Sequence, residues 1–263
     1  MNQVEFVTKS YTVRSGKLGG RLRVIFLADL HGKEHGEGNR HLIAEITRLH
    51  PDLILSGGDL VTGREDFPVE PVLDTIGRVR EIAPVYAVNG NHETKLRHFK
   101  DVYRHYVREL KKRGIILVNN HSEMFRRGDD SLLITGCELP LRKYRKLRKQ
   151  YLSDGEMNRA VGEPRGTDAF HILLAHNPEF GDAYFRWGAD LTLSGHFHGG
   201  VMRLSENKVA VSPYGIPLPK YGYGRYDQDE KCMIVTGGLG DHTRLVRIHN
   251  PMELVCIDLM PLH

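Results

Sequence analysis

Seven side chains with oxygen or nitrogen donors occur in five short motifs, and all are types that bind divalent cations. They are Asp29 and His31, Asp59, Asn91, His176, and His196 and His198. No cysteine falls in any of these motifs, which argues against a thiolate zinc site or an iron–sulfur cluster. A mixed set of carboxylate, amide and imidazole donors suits Mn, Fe or Zn. The residue types therefore predict a cluster of metal ligands.

The five motifs each follow a short apolar run, at residues 22–27, 53–55, 85–88, 172–175 and 191–193. Such runs, bounded by glycine or polar residues, are typical of buried strands. In open α/β sheets, functional groups collect beyond the carboxyl ends of the strands. Each Asp-x-His or His-x-His pair is separated by two positions, so an extended backbone would place both ligands on one side. We therefore expect five strand ends to deliver the donors to one place.

The order of the motifs distinguishes them from isolated core residues, since a lone buried histidine or aspartate is usually structural. The order Asp-x-His, Gly-Asp, Gly-Asn-His-Glu, His and Gly-His-x-His resembles the calcineurin-like metallophosphoesterase superfamily. Longer matches resemble one bacterial branch of it: Ala-Asp-Leu-His, Gly-Asp-Leu-Val, Ala-His-Asn-Pro, Leu-Ser-Gly-His-Phe-His-Gly-Gly, and C-terminal Gly238-Leu-Gly240, Arg247 and Pro251-Met-Glu253. The similarity runs from about residue 22 to the C-terminus.

The resemblance implies how the seven donors divide between two divalent metal ions. One ion would be held by Asp29, His31 and His198, the other by Asn91, His176 and His196, with Asp59 as the bridge. Two ions bound close together lower the pKa of a shared water and stabilise both oxygens of an in-line displacement. The reaction implied is hydrolysis of a phosphate ester by a hydroxide that bridges the metals. Among the metals the family allows, we favour Mn, with Fe or Zn as alternatives.

Two further residues follow Asn91 in its motif and are assigned catalytic roles. His92 neighbours a ligand without being one, and it should face the leaving group as a general acid or as a cationic stabiliser of the transition state. Glu93 could orient and charge that imidazole through a hydrogen bond. Many relatives have aspartate at this position, so the role of Glu93 is the less secure of the two.

The leading functional hypothesis is a phosphodiesterase or pyrophosphatase. Some members of the branch cleave the pyrophosphate of a UDP-linked acylated sugar, and a nucleotide or nucleic-acid diester is equally open. A nuclease is the enzymatic alternative, but it would require a broad basic groove with stacking aromatics. A non-catalytic scaffold of the same fold is the other alternative. Scaffold members usually lose ligands or the histidine at the position of His92, whereas this chain has them all.

The elements around the motifs predict an α/β fold. Apolar spacing indicates helices at residues 39–50, 69–82 and 98–113, the last ended by Gly114, and an opening edge strand at residues 4–13. Further strands are expected at residues 123–125, 132–135, 201–204, 209–212, 232–236, 246–248 and 254–259. The result is a four-layer sandwich of two mixed β-sheets flanked by helices, as the family resemblance also implies. We expect a single metallophosphoesterase domain over residues 1–263.

Two segments outside the motifs could border the site. Residues 141–151 carry six Lys or Arg, with apolar and tyrosine positions at helical spacing, in an insertion near residues 140–165. They predict a basic helix that is either a solvated surface helix or a cap recruiting an anionic or amphiphilic substrate, and such a helix can also lie on a membrane surface. Residues 213–228, rich in proline and glycine, predict an irregular loop that is either a site rim or a solvent-facing loop.

Composition restricts the partners and the compartment. The net charge of +4 suits a small anionic phosphoester but falls well short of the basicity of nucleic-acid-binding proteins. No protein partner is inferred. Three widely spaced cysteines are consistent with a reducing compartment, and residues 1–9 lack the apolar stretch of a signal peptide or membrane helix. Relatives in the branch often have an N-terminal membrane anchor, a pattern that residues 1–9 do not show. A cytoplasmic location, in which the protein could be peripheral to the membrane, is therefore the expectation.

Overall fold

Two six-stranded β-sheets form the centre of the computed structural model, which describes residues 6–145, 150–164, 166–205, 208–212, 215, 217–241 and 247–262. The first sheet contains, in spatial order, β1 (Val7–Ser15), β14 (Glu253–Pro261), β2 (Leu22–Leu27), β3 (Leu53–Ser56), β4 (Val85–Ala87) and β5 (Ile116–Leu117). All neighbours run parallel except β14 and β2. Because β2, β3 and β4 are parallel, their carboxyl ends lie at one edge of the sheet.

The second sheet has parallel strands at its centre and antiparallel strands at both edges. Its spatial order is β12 (Gly224–Gln228), β13 (Lys231–Val235), β9 (Leu191–Ser194), β8 (Phe170–Ala175), β7 (Asp130–Cys137) and β6 (Ser122–Arg127). The two outer pairs are antiparallel. A separate hairpin joins β10 (Arg203–Ser205) to β11 (Lys208–Val209). The parallel strands β8 and β9 therefore also end at one edge.

Helices cover the outer faces of both sheets. They are α1 (Arg40–Leu49), α2 (Glu70–Ile82), α3 (Asn91–Leu96), α4 (Lys100–Lys112), α5 (Asp154–Val161) and α6 (Gly181–Trp187). One apolar core joins α1, α2 and α4 to the first sheet, a second lies between the sheets, and a third joins α5 and α6 to the second sheet. Three cores between four layers confirm the predicted four-layer sandwich of two mixed sheets flanked by helices.

The five apolar runs that precede the motifs all form strands, and the three expected helices are present. Helices α1 and α2 lie within one residue of their predicted bounds, whereas α4 starts at Lys100. Gly114 ends α4 as predicted, with φ of 78° and its amide bonded to the carbonyl of Lys111. Helices α5 and α6 and strand β12 were not predicted. They are five to eight residues long, too short for a clear apolar period.

The prediction of one basic helix over residues 141–151 is wrong for the described part of that segment. Leu141–Tyr144 form a single 3-10 turn, and the backbone of Arg145 is extended. Residues 146–149 lie outside the described residues. Lys143, on the supposed polar face, is buried, and its ammonium donates to the carbonyl of Tyr151 (2.5 Å), a contact that a continuous helix over these residues could not make. The chain folds back on itself instead of continuing as a helix.

The predicted irregular loop at residues 213–228 is wrong for its last five residues, which pair with β13 as strand β12. Residues 213, 214 and 216 lie outside the described part. Of the predicted strand at 246–248, residue 246 is likewise not described, and Ile248 forms an isolated bridge with Met202. Among the described residues, no helix has the length and apolar character needed to cross a membrane.

Candidate metal centre

The structure brings the predicted metal ligands together at the ends of five strands. Asp29 and His31 follow β2, Asp59 follows β3, Asn91 begins α3 after β4, His176 follows β8, and His196 and His198 follow β9. Donor atoms of Asp29, His31 and His198 lie within 4.8 Å of one another. The same holds for Asp59, His176 and His196. Both sheets thus contribute to one site.

The backbone at these strand ends is left-handed, which contradicts the expectation that each ligand pair lies on an extended segment. Asp29 (φ 56°), His31 (51°), Asp59 (54°), His196 (70°) and His198 (48°) all have positive φ. Non-glycine residues adopt this conformation rarely, and strained backbone tends to cluster at functional sites. Hydrogen bonds between the loops hold it: the Asp29 amide donates to the Gly58 carbonyl (2.9 Å), and the His31 amide to the Asp59 carbonyl (3.0 Å).

The carboxylate of Asp59 is central among the imidazoles. Its Oδ2 lies 3.2 Å from Nε2 of His176, 3.9 Å from Nε2 of His31 and 4.0 Å from Nε2 of His92. Its Oδ1 accepts a hydrogen bond from the His92 amide (2.7 Å). Burial opposes ionisation, yet the histidines around Asp59, first His176 and then His92, hold the pKa of its carboxyl well below its usual value. A charged oxygen therefore faces both donor groups.

The donor set fits divalent cations on three observations. The amide oxygen of Asn91 is buried and has no hydrogen-bond partner among the described residues. Nε2 of His31 and Nε2 of His198 lie 3.2 Å apart, as two ligands of one ion can. Two carboxyl groups, Asp29 and Asp59, are both buried, and burial together with the charge of Asp59 raises the pKa of the Asp29 carboxyl. Positive charge nearby is needed to keep both ionised, and metal ions would supply it.

His176 is oriented by the loop of β3. One ring nitrogen, Nδ1, lies 2.7 Å from the carbonyl oxygen of Gly57 and must donate to it, because a carbonyl only accepts. In a neutral ring, Nε2 is then left as an unprotonated donor facing the site. Burial by itself would lower the pKa of His176, but Asp59 and Asp29 raise it to about 9. The same two carboxylates that favour a proton here would favour a metal cation.

His92 stands at the open edge of the site with a defined tautomer. The Gly63 amide donates to its Nδ1 (3.0 Å), so Nδ1 has no proton and, in the neutral ring, Nε2 carries it. Burial lowers the pKa of His92 to about 4, which also favours the neutral ring. Its side chain is 25% exposed. This geometry favours a neutral hydrogen-bond donor over the cationic stabiliser that was the alternative.

The prediction that Glu93 hydrogen-bonds the His92 ring is wrong. Its carboxylate accepts hydrogen bonds from the backbone amides of Asp59 (2.8 Å), Leu60 (2.8 Å) and Gly90 (2.9 Å), with a longer one from Val61 (3.4 Å). Burial raises its pKa to about 7, while the amide donors favour the carboxylate. The physical reason for the correction is direction, since neighbouring residues of one helix turn point to different sides. Glu93 therefore joins the β3 and β4 loops and shapes the site from behind.

Glycines in the motifs are required by close approach. A Cβ on Gly90 would lie 2.2 Å from Oδ1 of Asp59, and a Cβ on Gly195 would lie 2.6 Å from Oδ2 of Asp29. Both distances are far shorter than any non-bonded contact. The glycine of each motif thus lets another loop bring its carboxylate into the site.

Sequence reasoning missed Tyr144, whose ring lies 5.0 Å from the ring of His196 and 6.2 Å from that of His176. It belongs to the segment interpreted as a basic helix, and no spacing signal connects it to the ligand motifs.

Asn39, which begins the predicted helix after His31, has a structural role: its side chain bonds the His35 amide (2.9 Å) and the Thr75 hydroxyl (3.0 Å).

Similar folds occur among solved structures. TT1561 of Thermus thermophilus aligns with a TM-score of 0.50 and 12% identity, over 83% of this chain and 90% of its own. The NAD nucleotidase NadN of Haemophilus influenzae aligns with a TM-score of 0.53 and 13% identity, over 84% of this chain and 46% of its own. At these identities the likeness concerns the fold alone.

Sequence relatives and a family model are more specific. The chain is 29% identical to the phosphodiesterase YaeI of Escherichia coli (strain K12), over 90% of this chain and 82% of the relative. It is 27% identical to the uncharacterized protein YpbG of Bacillus subtilis (strain 168), over 82% of this chain and 79% of the relative. The model of the calcineurin-like phosphoesterases matches residues 22–200. The chain therefore belongs to the calcineurin-like phosphoesterase family of metal-dependent phosphoester hydrolases.

Proposed function

We propose that this protein is a two-metal phosphodiesterase or pyrophosphatase. The observation that supports it best is the position of Asp59 Oδ2, within 4.0 Å of imidazoles from both sheets and of the partly exposed His92. One carboxylate oxygen in that place suits a ligand shared by two ions. His92 beside it suits a group that acts on the substrate.

The ligands divide as the family resemblance implies. Asp29, His31 and His198 would hold one ion, Asn91, His176 and His196 the other, and Asp59 both. When bound, two divalent ions supply an activated water and stabilise negative charge on the phosphoryl group. The protein fixes that chemistry in place, because the ligands lie on loops tied to one another by backbone hydrogen bonds. Mn is our choice of metal, because amide and carboxylate oxygens suit it alongside imidazole.

His92 would act on the leaving group. The Gly63 amide holds Nδ1, which leaves Nε2–H on the other side of the ring, and a quarter of the side chain is exposed. From there Nε2 can donate a hydrogen bond, and then its proton, to the oxygen that departs from phosphorus. Glu93 contributes indirectly by holding the Asp59 loop against the start of α3.

The substrate would be a small anionic phosphoester with two substituents on phosphorus. The name of the E. coli relative, a phosphodiesterase, favours a diester or pyrophosphate. The exposed Arg142 and Arg145, in and just after the turn that contains Tyr144, could attract an anionic or amphiphilic substrate at the site rim. We further propose a cytoplasmic location with peripheral membrane association, consistent with three buried free cysteines.

The test is hydrolysis of bis-p-nitrophenyl phosphate beside p-nitrophenyl phosphate by metal-stripped protein, with Mn, Zn, Fe or Mg added back. We expect diester cleavage that returns with Mn and is lost in Asp59→Asn. Cleavage of the monoester alone would replace the proposal with a phosphatase. No turnover with any metal, despite two bound ions per chain, would favour the scaffold alternative.

A further inference from the structure

We propose that Tyr144 is a positioning residue of this site, whose ring fixes the imidazole of His196 and closes the side of the site formed by His176 and His196. The substrate would then enter from the opposite side, past His31 and His92. The inference rests on the proposed two-metal function. It deepens that function by assigning a wall, an entrance and a residue outside the ligand motifs.

The ring of Tyr144 contacts the imidazole of His196 directly. Tyr144 meets His196 at an interplanar angle of 79° with centroids 5.0 Å apart, an edge-to-face pair. The rings of His176 and His196 form a second such pair, with centroids 5.0 Å apart at 61°. Edge-to-face arrangements are the favoured geometry of neighbouring aromatic rings. Because the ring of Tyr144 also lies 6.2 Å from that of His176, the three rings form a compact triangle, and the imidazole of His196 contacts both of the others.

The turn that contains Tyr144 is itself held in place by contacts with other elements. The preceding residue, Lys143, is buried and pairs with Glu156 at the start of α5 (2.8 Å). The side-chain Nδ2 of Asn177 donates to the carbonyl of Lys143 (3.2 Å), and Asn177 directly follows His176. The turn also contacts α3, the helix that contains His92. The turn is thus joined to two ligand loops and to α5, and the tyrosine ring is carried on a fixed support.

The histidines on the two sides of the site differ in their exposure to solvent. His176 is fully buried and His196 is 4% exposed, whereas the side chains of His31 and His92 are 11% and 25% exposed. Tyr144 lies over the buried pair. Among the described residues, the site is most exposed on the side of His31 and His92, so a substrate would approach from the side where the proposed proton donor lies.

The experiment compares three variants in full-length, metal-stripped protein titrated with Mn²⁺ by calorimetry. Tyr144→Ala removes the ring, Tyr144→Phe keeps it without the hydroxyl, and Tyr151→Ala is the matched control at a 71% exposed tyrosine of the same segment. For Tyr144→Ala we expect one of two ions to bind about tenfold more weakly, the typical cost of losing a group that orients a metal ligand. We expect Tyr144→Phe and Tyr151→Ala to bind both ions as the wild type does.

Kinetics with bis-p-nitrophenyl phosphate at saturating Mn²⁺ provide the second measurement. We expect kcat of Tyr144→Ala to fall and KM to change little, because the ring orients a ligand and does not contact the substrate. Equal metal affinities in Tyr144→Ala and wild type would overturn the inference. A loss in Tyr144→Phe as large as in Tyr144→Ala would overturn it too, because the hydroxyl would then be the acting group.

Two controls separate this inference from its premise and from misfolding. A wild type that binds fewer than two ions would remove the two-metal proposal itself, whereas two ions with an unaffected Tyr144→Ala would remove only the role of Tyr144. If circular dichroism shows Tyr144→Ala to be unfolded, Tyr144→Leu takes its place because it keeps apolar volume without an aromatic edge. Tyr144→Leu should bind one ion more weakly than Tyr144→Phe, and equal binding would overturn the inference.

Discussion

The two sides of the metal site differ in what encloses them. On one side, His176 is fully buried, and Tyr144 covers the neighbouring His196. On the other side, His31 and His92 are partly exposed and their rings are 4.7 Å apart. On the enclosed side, His176 has the fixed ring orientation and close packing expected of a metal ligand. The open side would combine one proposed ligand, His31, with the proposed proton donor, His92, so substrate chemistry is expected there.

Metal binding and catalysis should therefore separate by residue. Changes at the proposed ligands should alter metal content, whereas a change at His92 should alter turnover while the ions remain. Four substitutions test that division, in order of decreasing expected effect.

Asp59→Asn should have the largest effect, because Asp59 faces both sides and its loss removes a buried negative charge between two cations. We expect kcat with bis-p-nitrophenyl phosphate to fall by at least about 10³-fold, from several kcal/mol of lost transition-state stabilisation. Metal analysis should find fewer than two ions per chain. Asp66→Asn, at an exposed position of the same loop, is the control and should behave as wild type. Full activity in Asp59→Asn would end the two-metal mechanism.

His92→Ala should reduce turnover without removing metal. Loss of a general acid lowers kcat by about 10²-fold or more, whereas no described contact makes His92 necessary for folding of the buried side. The measurement is kcat together with Mn content after gel filtration. His98→Ala, an exposed histidine just beyond α3, is the control. If His92→Ala lost an ion as Asp59→Asn does, the division between the two sides would be wrong.

Glu93→Gln should lower stability more than it changes chemistry. The carboxylate accepts from several buried amides, and an amide in its place presents N–H groups to some of those donors. Leaving such groups unsatisfied costs about 1–3 kcal/mol of unfolding free energy, which corresponds to a Tm lower by roughly 2–10 °C. Thermal unfolding in the presence of a chelator measures this decrease in Tm without the stabilising effect of bound metal. Glu123→Gln, half-exposed on β6, is the control, and an unchanged Tm for Glu93→Gln would contradict its role in joining the loops.

Arg145→Glu should have the smallest effect and concerns only the rim. Charge reversal at an exposed site near a small anionic substrate should raise KM about two- to fivefold and leave kcat unchanged, with a difference that shrinks in high salt. Arg104→Glu on α4 is a control of equal charge change at an exposed arginine outside this segment. Unchanged KM would remove the basic segment from substrate binding. Arg148, in the same basic segment, lies outside the described residues.

Much of this molecule could be predicted from local sequence. The runs before the motifs are continuously apolar because strands such as β2, β3 and β8 are buried on both faces, and that pattern is visible without the fold. Helices α1 and α2 have apolar residues on one face because only that face packs against the sheet, and this pattern is also visible in the sequence. The basic segment misled because Lys143 reads as a solvated residue in sequence. Only its distant partner, Glu156, and the fold-back of the chain explain its burial.

The sequence by itself determined the donor types, their order and the strands that end at them, because these depend on residue chemistry and hydrophobic periodicity over a few positions. The tertiary structure decided the left-handed backbone of the ligands, the partners of Glu93, the tautomer of His92 and the approach of Tyr144 to His196. Each of these rests on contacts between loops far apart in the chain, such as the bond from the Asp29 amide to the Gly58 carbonyl. Such contacts exist only once two sheets have packed together, and no local pattern encodes them.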